Sequence, residues 1–224
     1  MPSGATRVAA VVGTPIRHSL SPAIFNAAFT ASGLDWTFVA FDVGVEDAAA
    51  ALAGARALGI GGMSVTMPLK SVLVGLVDRP SEVAVRLGAV NSILVGEDGT
   101  AADNFDGAGL LDALAADADV DVAGRRCVVL GAGGAARAVV LALAGAGAAD
   151  IAVVNRSPAR AATAASLGGA VGRVGAGSDV ADGDVVINAT SIGMEGRTAR
   201  VPARSIRPCC VPVRWSSISS ITPA

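Results

Sequence analysis

Short runs of β-branched and other apolar residues alternate along the chain with longer alanine-rich stretches. That alternation is the pattern of a largely parallel sheet covered by helices on both faces. The apolar runs predict strands over Arg7–Gly13, Trp36–Asp42, Ile60–Val65 and Ala89–Val95, with helices near Pro22–Ser32, Val45–Leu58 and Ser81–Leu87. A connecting helix over Asp106–Ala116 and a polar, turn-forming stretch over Asp117–Gly124 lead into a second series. There, strands are expected at Arg125–Leu130, Ile151–Asn155 and Asp184–Ala189, with helices at Gly133–Ala146 and Pro158–Leu167. Such a βαβαβ order builds mononucleotide-binding halves. The glycine-rich stretch Gly168–Gly183 is poorly patterned and is assigned at most one short strand. The fold class is therefore α/β, in two α/β domains.

Composition narrows the function classes. With 16% charged residues and a net charge of -2 in 224 residues, the chain has no basic field to attract nucleic acid. Its 52% hydrophobic content is mostly alanine and valine, and the longest apolar run, Ala138–Ala149, is too short to span a bilayer. Residues 1–14 lack the basic start and small-residue cleavage site of a signal peptide, and three cysteines make no disulfide framework. A cytoplasmic protein with no membrane partner is expected, and no metal site is assigned.

The chemistry concentrates in a few runs. In Val128-Val129-Leu130-Gly131-Ala132-Gly133-Gly134-Ala135-Ala136, a G-x-G-x-x-A pattern falls where a strand stops and a helix starts. Gly131 permits a tight turn, Gly133 lets backbone approach a pyrophosphate, and small Ala136 allows close helix packing. The next strand ends in Asn155-Arg156-Ser157, with Arg160 one turn on. No acid stands there to hold ribose hydroxyls or repel a 2′-phosphate, and two guanidiniums are placed to grip one, so NADP is favoured over NAD. A third polar run, Asn188-Ala189-Thr190-Ser191-Ile192-Gly193-Met194, follows a buried strand and belongs on the ligand side of such a sheet.

In the first half, Lys70 is the only lysine beside sixteen arginines, in the run Gly62-Met63-Ser64-Val65-Thr66-Met67-Pro68-Leu69-Lys70. Lysine can release a proton where arginine cannot, which makes Lys70 a candidate acid or base, against the alternative of a solvated surface lysine. In His18-Ser19-Leu20-Ser21-Pro22, Pro22 suits a first helical turn and Ser21 its cap, which leaves a second hydroxyl to bind a carboxylate or a hydroxylated ring; a plain capping loop competes. His18, the only histidine, is read as a loop residue. Asn91, in an otherwise apolar strand, either ties backbone or reaches ligand. Asp106, in Asp103-Asn104-Phe105-Asp106-Gly107, caps the following helix or pairs with Lys70.

Together, in order and at compatible spacing over 7–194, these runs resemble the shikimate dehydrogenase family. The resemblance implies NADPH-dependent reduction of 3-dehydroshikimate to shikimate. It implies a substrate-binding domain over 1–105, a Rossmann-like NADP domain over 106–194, incomplete at its C-terminal end, and an aberrant tail over 195–224. Ser19 and Ser21 would bind the substrate carboxylate, Thr66, Lys70, Asn91 and Asp106 its hydroxyls, with Lys70 and Asp106 as the catalytic pair. Gly131, Ala132, Gly133, Gly134 and Ala135 would hold the pyrophosphate. Asn155, Arg156 and Arg160 would hold the 2′-phosphate, and Thr190, Ser191 and Met194 would face the nicotinamide. The partner is then a small molecule, and the protein a monomer or homodimer.

Two positions depart from the family pattern: Ser64 stands where the family has Asn, and Phe105 where it has Thr. Both bear on substrate range and leave quinate or a related hydroxylated ring open. The family continues past Met194 with a tyrosine-bearing strand and a closing helix carrying a glutamine, yet this chain has neither tyrosine nor glutamine. Written in GC-rich codons, Arg214–Pro223 read one frame over encodes V-V-V-D-L-V-Y-H-P, like the missing strand, so a frameshift between Met194 and Arg214 is expected. The competing readings are an inactive NADP-binding remnant and, more distantly, a methylene-tetrahydrofolate type dehydrogenase, against which the paired serines argue.

Overall fold

A computed structural model describes residues 2–190 and 192. The chain divides into two compact units, the first running through Phe105 and the second beginning at Asp106.

In the first unit, β1 (Arg7–Gly13), α1 (Ser21–Ala31), β2 (Trp36–Asp42), α2 (Ala48–Ala57) and β3 (Gly62–Val65) follow the expected alternation. Then come α3 (Lys70–Leu73), β4 (Arg79–Pro80), α4 (Glu82–Leu87), β5 (Ser92–Gly96) and β6 (Gly99–Asp103). The sheet order is β2-β1-β3-β5-β6-β4. Successive residues of β1 face opposite sides of the sheet. Val11 packs with Ile16 and Phe38, whereas Val12 packs with Leu52, Leu73 and Ile93.

The sheet is mixed, which corrects the parallel expectation: β1 is parallel to β2 and β3, but β5 runs antiparallel to both β3 and β6. The reason is local. Gly96 and Gly99 pair across the two residues Glu97 and Asp98, so the chain reverses in a hairpin with no room for a crossover helix. The hairpin also moves the expected strand: Ala89–Asn91 lie ahead of β5 rather than in it.

β2 is the edge of this sheet, and an open strand edge invites pairing with another chain. Here the Asn26 side chain, from α1, occupies part of that edge. Its Nδ2 donates to the Phe38 carbonyl at 2.9 Å and its Oδ1 accepts the Phe38 N–H at 2.8 Å.

The second unit contains α5 (Asp106–Ala118), β7 (Arg126–Leu130), α6 (Gly134–Gly145), β8 (Asp150–Val154), α7 (Pro158–Ala165), a 3-10 turn, β9 (Gly172–Val174), α8 (Asp179–Asp182) and β10 (Val185–Asn188). All pairings in its sheet, β10-β7-β8-β9, are parallel. The Gly168–Gly183 stretch holds one short strand, β9. Val129, Val139, Val140, Leu143, Ile151 and Val153 are fully buried in one core, each contributing about 1.5–3 kcal/mol of burial free energy. Small residues set the spacing: a Cβ added to Gly107 of α5 would lie 2.6 Å from the Ala138 carbonyl oxygen of α6.

Candidate functional site

In the second unit three strand ends are joined by backbone. The Ala189 N–H donates to the Leu130 carbonyl and the Gly131 N–H to the Val154 carbonyl, both at 2.9 Å. Thus the segments after β10, β7 and β8 lie side by side, as the carboxyl ends of parallel strands must. Gly131 has φ +110°, and an added Cβ would meet the Ala189 oxygen at 3.0 Å and the Thr190 methyl at 3.1 Å. Only glycine takes that conformation and leaves that gap.

α6 then starts at Gly134 with Gly133 in extended backbone, no side chain capping it and no acid in its first turn. Its first N–H groups are therefore available to an anion. The space beside Gly133 and Gly134 is open, with no atom within 4 Å of an added Cβ, while Ala136 is fully buried against the sheet. Half-buried Ala132 and Ala135 flank these glycines. This cradle fits a dinucleotide's pyrophosphate.

At the end of β8, Asn155 donates through Nδ2 to the Ser157 carbonyl at 3.1 Å, and Ser157 caps α7 by accepting the Arg160 N–H. Arg156 and Arg160 are exposed and make no ion pair among the described residues. Arg173 behaves differently: it pairs with Asp150 and Asp179 at 2.7 Å each, and its bond to Asp179, with that from the Ala176 N–H, holds the Asp179 carboxyl below the usual carboxylate range.

The turn after β10 is organised by Asn188, the first residue of the third polar run. Asn188 accepts the Thr190 hydroxyl at 2.6 Å and its N–H at 3.1 Å, and donates to the Ile192 carbonyl at 3.1 Å. Ser191 and Met194 lie outside the described residues, as does the tail after them. A hollow bordered by Leu111, Asp119, Val122 and Ala146 sits at the opposite end of β7 and touches none of these segments.

In the first unit the candidate residues gather at one end of the sheet. β1 and β3 finish there, and because β5 is antiparallel its beginning lies there too, with Ser64 opposite Ser92 and Ser92 opposite Asp103. The Thr66 N–H donates to the Val12 carbonyl at 3.0 Å, the Thr14 N–H to Met67 at 3.0 Å, and the Val65 N–H to Asn91 at 2.8 Å. Gly13 makes the close approach possible, since its Cβ would fall 2.5 Å from the Thr66 methyl.

Lys70 opens α3, half-buried, and its carbonyl accepts the Val90 N–H at 2.9 Å. Asn91 ties backbone: its Oδ1 accepts the Phe105 N–H at 3.0 Å. Asp106 is the buried first residue of α5 in the second unit. The cap reading at α1 needs correction. Leu20 is helical, so the helix starts at Ser21 one residue early; Ser21 caps nothing, and its N–H donates to Ser19 Oγ at 3.3 Å.

Asn104, in the run that carries Asp106, is buried, and its Nδ2 reaches the Ala89 carbonyl at 3.2 Å, a role the run does not announce. A signal existed. The chain has five asparagines and no glutamine, and all five side-chain amides bond backbone at a turn or strand edge.

Among the described residues no group of histidine, cysteine and acidic side chains is placed to hold a metal, and no helix is long and apolar enough to cross a membrane.

Residues 11–93 match the family model described as shikimate dehydrogenase substrate binding domain, and residues 113–195 match shikimate / quinate 5-dehydrogenase. A shikimate dehydrogenase (NADP(+)) of Moorella thermoacetica is 44% identical over 207 residues, covering 88% of this chain and 70% of that relative. A shikimate dehydrogenase solved in complex with NADP+ aligns with TM-score 0.84 at 36% identity, over 94% of this chain and 76% of its own. The enzyme of Thermus thermophilus, solved with NADP(H) and shikimate, aligns with TM-score 0.78 at 35% identity over 84% and 69%.

Proposed function

The chain belongs to the shikimate dehydrogenase family, and we propose that it reduces 3-dehydroshikimate to shikimate with NADPH, using Lys70 and Asp106 as its acid–base pair. NADP-linked oxidoreduction in the shikimate pathway is the activity of its relatives, which match both units in order. That match carries the reading.

When bound, the nicotinamide supplies the hydride. Gly131 to Ala135 hold the pyrophosphate through the uncapped start of α6, Arg156 and Arg160 take the 2′-phosphate with Asn155 shaping their turn, and Thr190, Ser191 and Met194 border the nicotinamide. Ser19 and Ser21 bind the substrate carboxylate, and Thr66 and Asn91 its hydroxyls. Lys70, protonated, donates to the oxygen that becomes the new hydroxyl, so charge developing there is neutralised as it forms. Asp106 orients the ring and the lysine.

The division of labour follows the two units, with substrate on residues 1–105 and on Asp106, and cofactor on the rest of 106–194. A working monomer or homodimer in the cytoplasm completes the proposal. Shikimate-dependent formation of NADPH, followed by absorbance, tests it; binding of NADPH without any turnover would leave the chain a cofactor-binding remnant instead.

A second reading rests on Phe105, whose side chain is 54% exposed immediately before Asp106. An aromatic ring where the family carries threonine favours a substrate range that extends to quinate or a related ring. Comparing kcat/KM for shikimate and quinate before and after Phe105→Thr decides between the two.

A further inference from the structure

We infer that Asn104 is a positioning residue for Lys70, acting through the segment Gly88–Asn91. The inference rests on the proposed role of Lys70 as the acid, and it lies entirely within the first unit.

Lys70 begins a helix of only four residues, which cannot fix its own orientation, because so short a helix has little internal hydrogen bonding. Its carbonyl is held instead by the Val90 N–H at 2.9 Å. Val90 is therefore one of the groups that fix the lysine backbone.

The segment carrying Val90 is not a strand. It follows α4, whose C-cap is Gly88 at φ +59°, and precedes β5. Main-chain bonds hold it at several points, among them the Ala89 N–H to Ala84 at 3.1 Å, the Val90 N–H to Lys70, the Asn91 N–H to Asp103 at 2.9 Å and the Val65 N–H to Asn91 at 2.8 Å, and the Ala89 carbonyl accepts a side-chain donor, Asn104 Nδ2, at 3.2 Å.

Asn104 is itself anchored. Its N–H donates to Asp103 Oδ1 at 2.7 Å, and the same oxygen accepts the Ser81 hydroxyl that caps α4. At 6% exposure, with Ala89 at 4% and Val90 fully buried, the contact is shielded from water, where an amide bond is worth most and its loss leaves a buried carbonyl without that donor. The turn after β6 thus holds Ala89, and through Val90 the start of α3. Next to it, Asn91 holds the Phe105 N–H, so the residues proposed to bind substrate and to supply the proton share one clamp.

The single lysine gives a direct readout. Reductive methylation with isotope-labelled formaldehyde yields one side-chain dimethylamine resonance from Lys70, apart from that of the N-terminal amine, and keeps the charge. Asn104→Ala is expected to shift or broaden the Lys70 resonance. It should lower kcat on the order of 10²-fold, the cost of an acid displaced by about 1 Å, while KM for NADP stays within about twofold.

A Lys70 resonance at its parent position and width overturns the inference, whether kcat falls or not. If Asn104→Ala does not accumulate as folded protein, Gly88→Ala strains the same segment from its other side, with no atom within 4 Å for the new methyl to strike; the same shift supports the clamp and an unmoved resonance overturns it. Absence of turnover in the parent protein sinks the proposed reaction, and the resonance still decides the positioning claim.

Discussion

The two units hold the segments proposed to face ligand by different means. In the second, the cradle is backbone and small residues: Gly131 against Ala189, an uncapped α6, and parallel strand ends joined by main-chain bonds. In the first, side chains from distant parts of the sequence tie loops together: Asn91 to Phe105, Asn104 to Ala89, and Ser81 to Asp103, where the two residues are 22 positions apart. A pyrophosphate is satisfied by N–H groups that any residue offers. A hydroxylated ring needs particular side chains at fixed places, and those must be braced.

This contrast can be broken at its strongest point first. Lys70→Ala should lower turnover on the order of 10²-fold or more, the range of a lost general acid, with NADPH affinity unchanged by fluorescence titration. A loss of cofactor binding to match would mean that the units do not divide the work.

Next in size, Arg156→Ala with Arg160→Ala removes charge-assisted bonds worth about 1.5–3 kcal/mol each. NADPH affinity should fall by at least about tenfold while NADH affinity holds; equal loss of both would take the 2′-phosphate away from these arginines.

The smallest effect concerns a brace away from the chemistry. Asp78 accepts the Thr100 N–H at 2.7 Å and hydroxyl at 2.8 Å and pairs with Arg56 at 2.6 Å, and these hold its carboxyl down at about 2. A carboxyl lower in the folded than in the unfolded chain stabilises above the unfolded value of about 4, and that contribution drains away as pH falls through about 2. Acid unfolding should therefore separate the parent from Asp78→Asn least at the low end of that window and most above it. A constant gap between the two would show that the carboxylate charge is not what braces β4 and β6.

How much of this could be read from residues alone also differs between the units. The glycine turn, the missing acid after β8 and the two arginines were plain, because each depends on neighbours in sequence. The parallel direction of the strands in the second sheet followed from the alternation of elements. In the first unit the hairpin of β5 and β6 was missed, since Ala89 to Val95 reads as one apolar run and the turn at Glu97-Asp98 is only two residues long. The early start of α1 at Ser21 was likewise a matter of Leu20 backbone, which nothing in the side chains announces.

Alone, the amino-acid order determined that this protein is a two-part α/β chain with a glycine turn between strand and helix and a single lysine, because hydrophobic period, turn chemistry and helix-start signals act over a few residues. Only the folded arrangement decided that β5 runs backwards, which sets Asn91 beside Val65 rather than at the far end of the sheet, and that Asn104 reaches Ala89. Those depend on which segments meet, and a side-chain amide shows its partner only when both are in place.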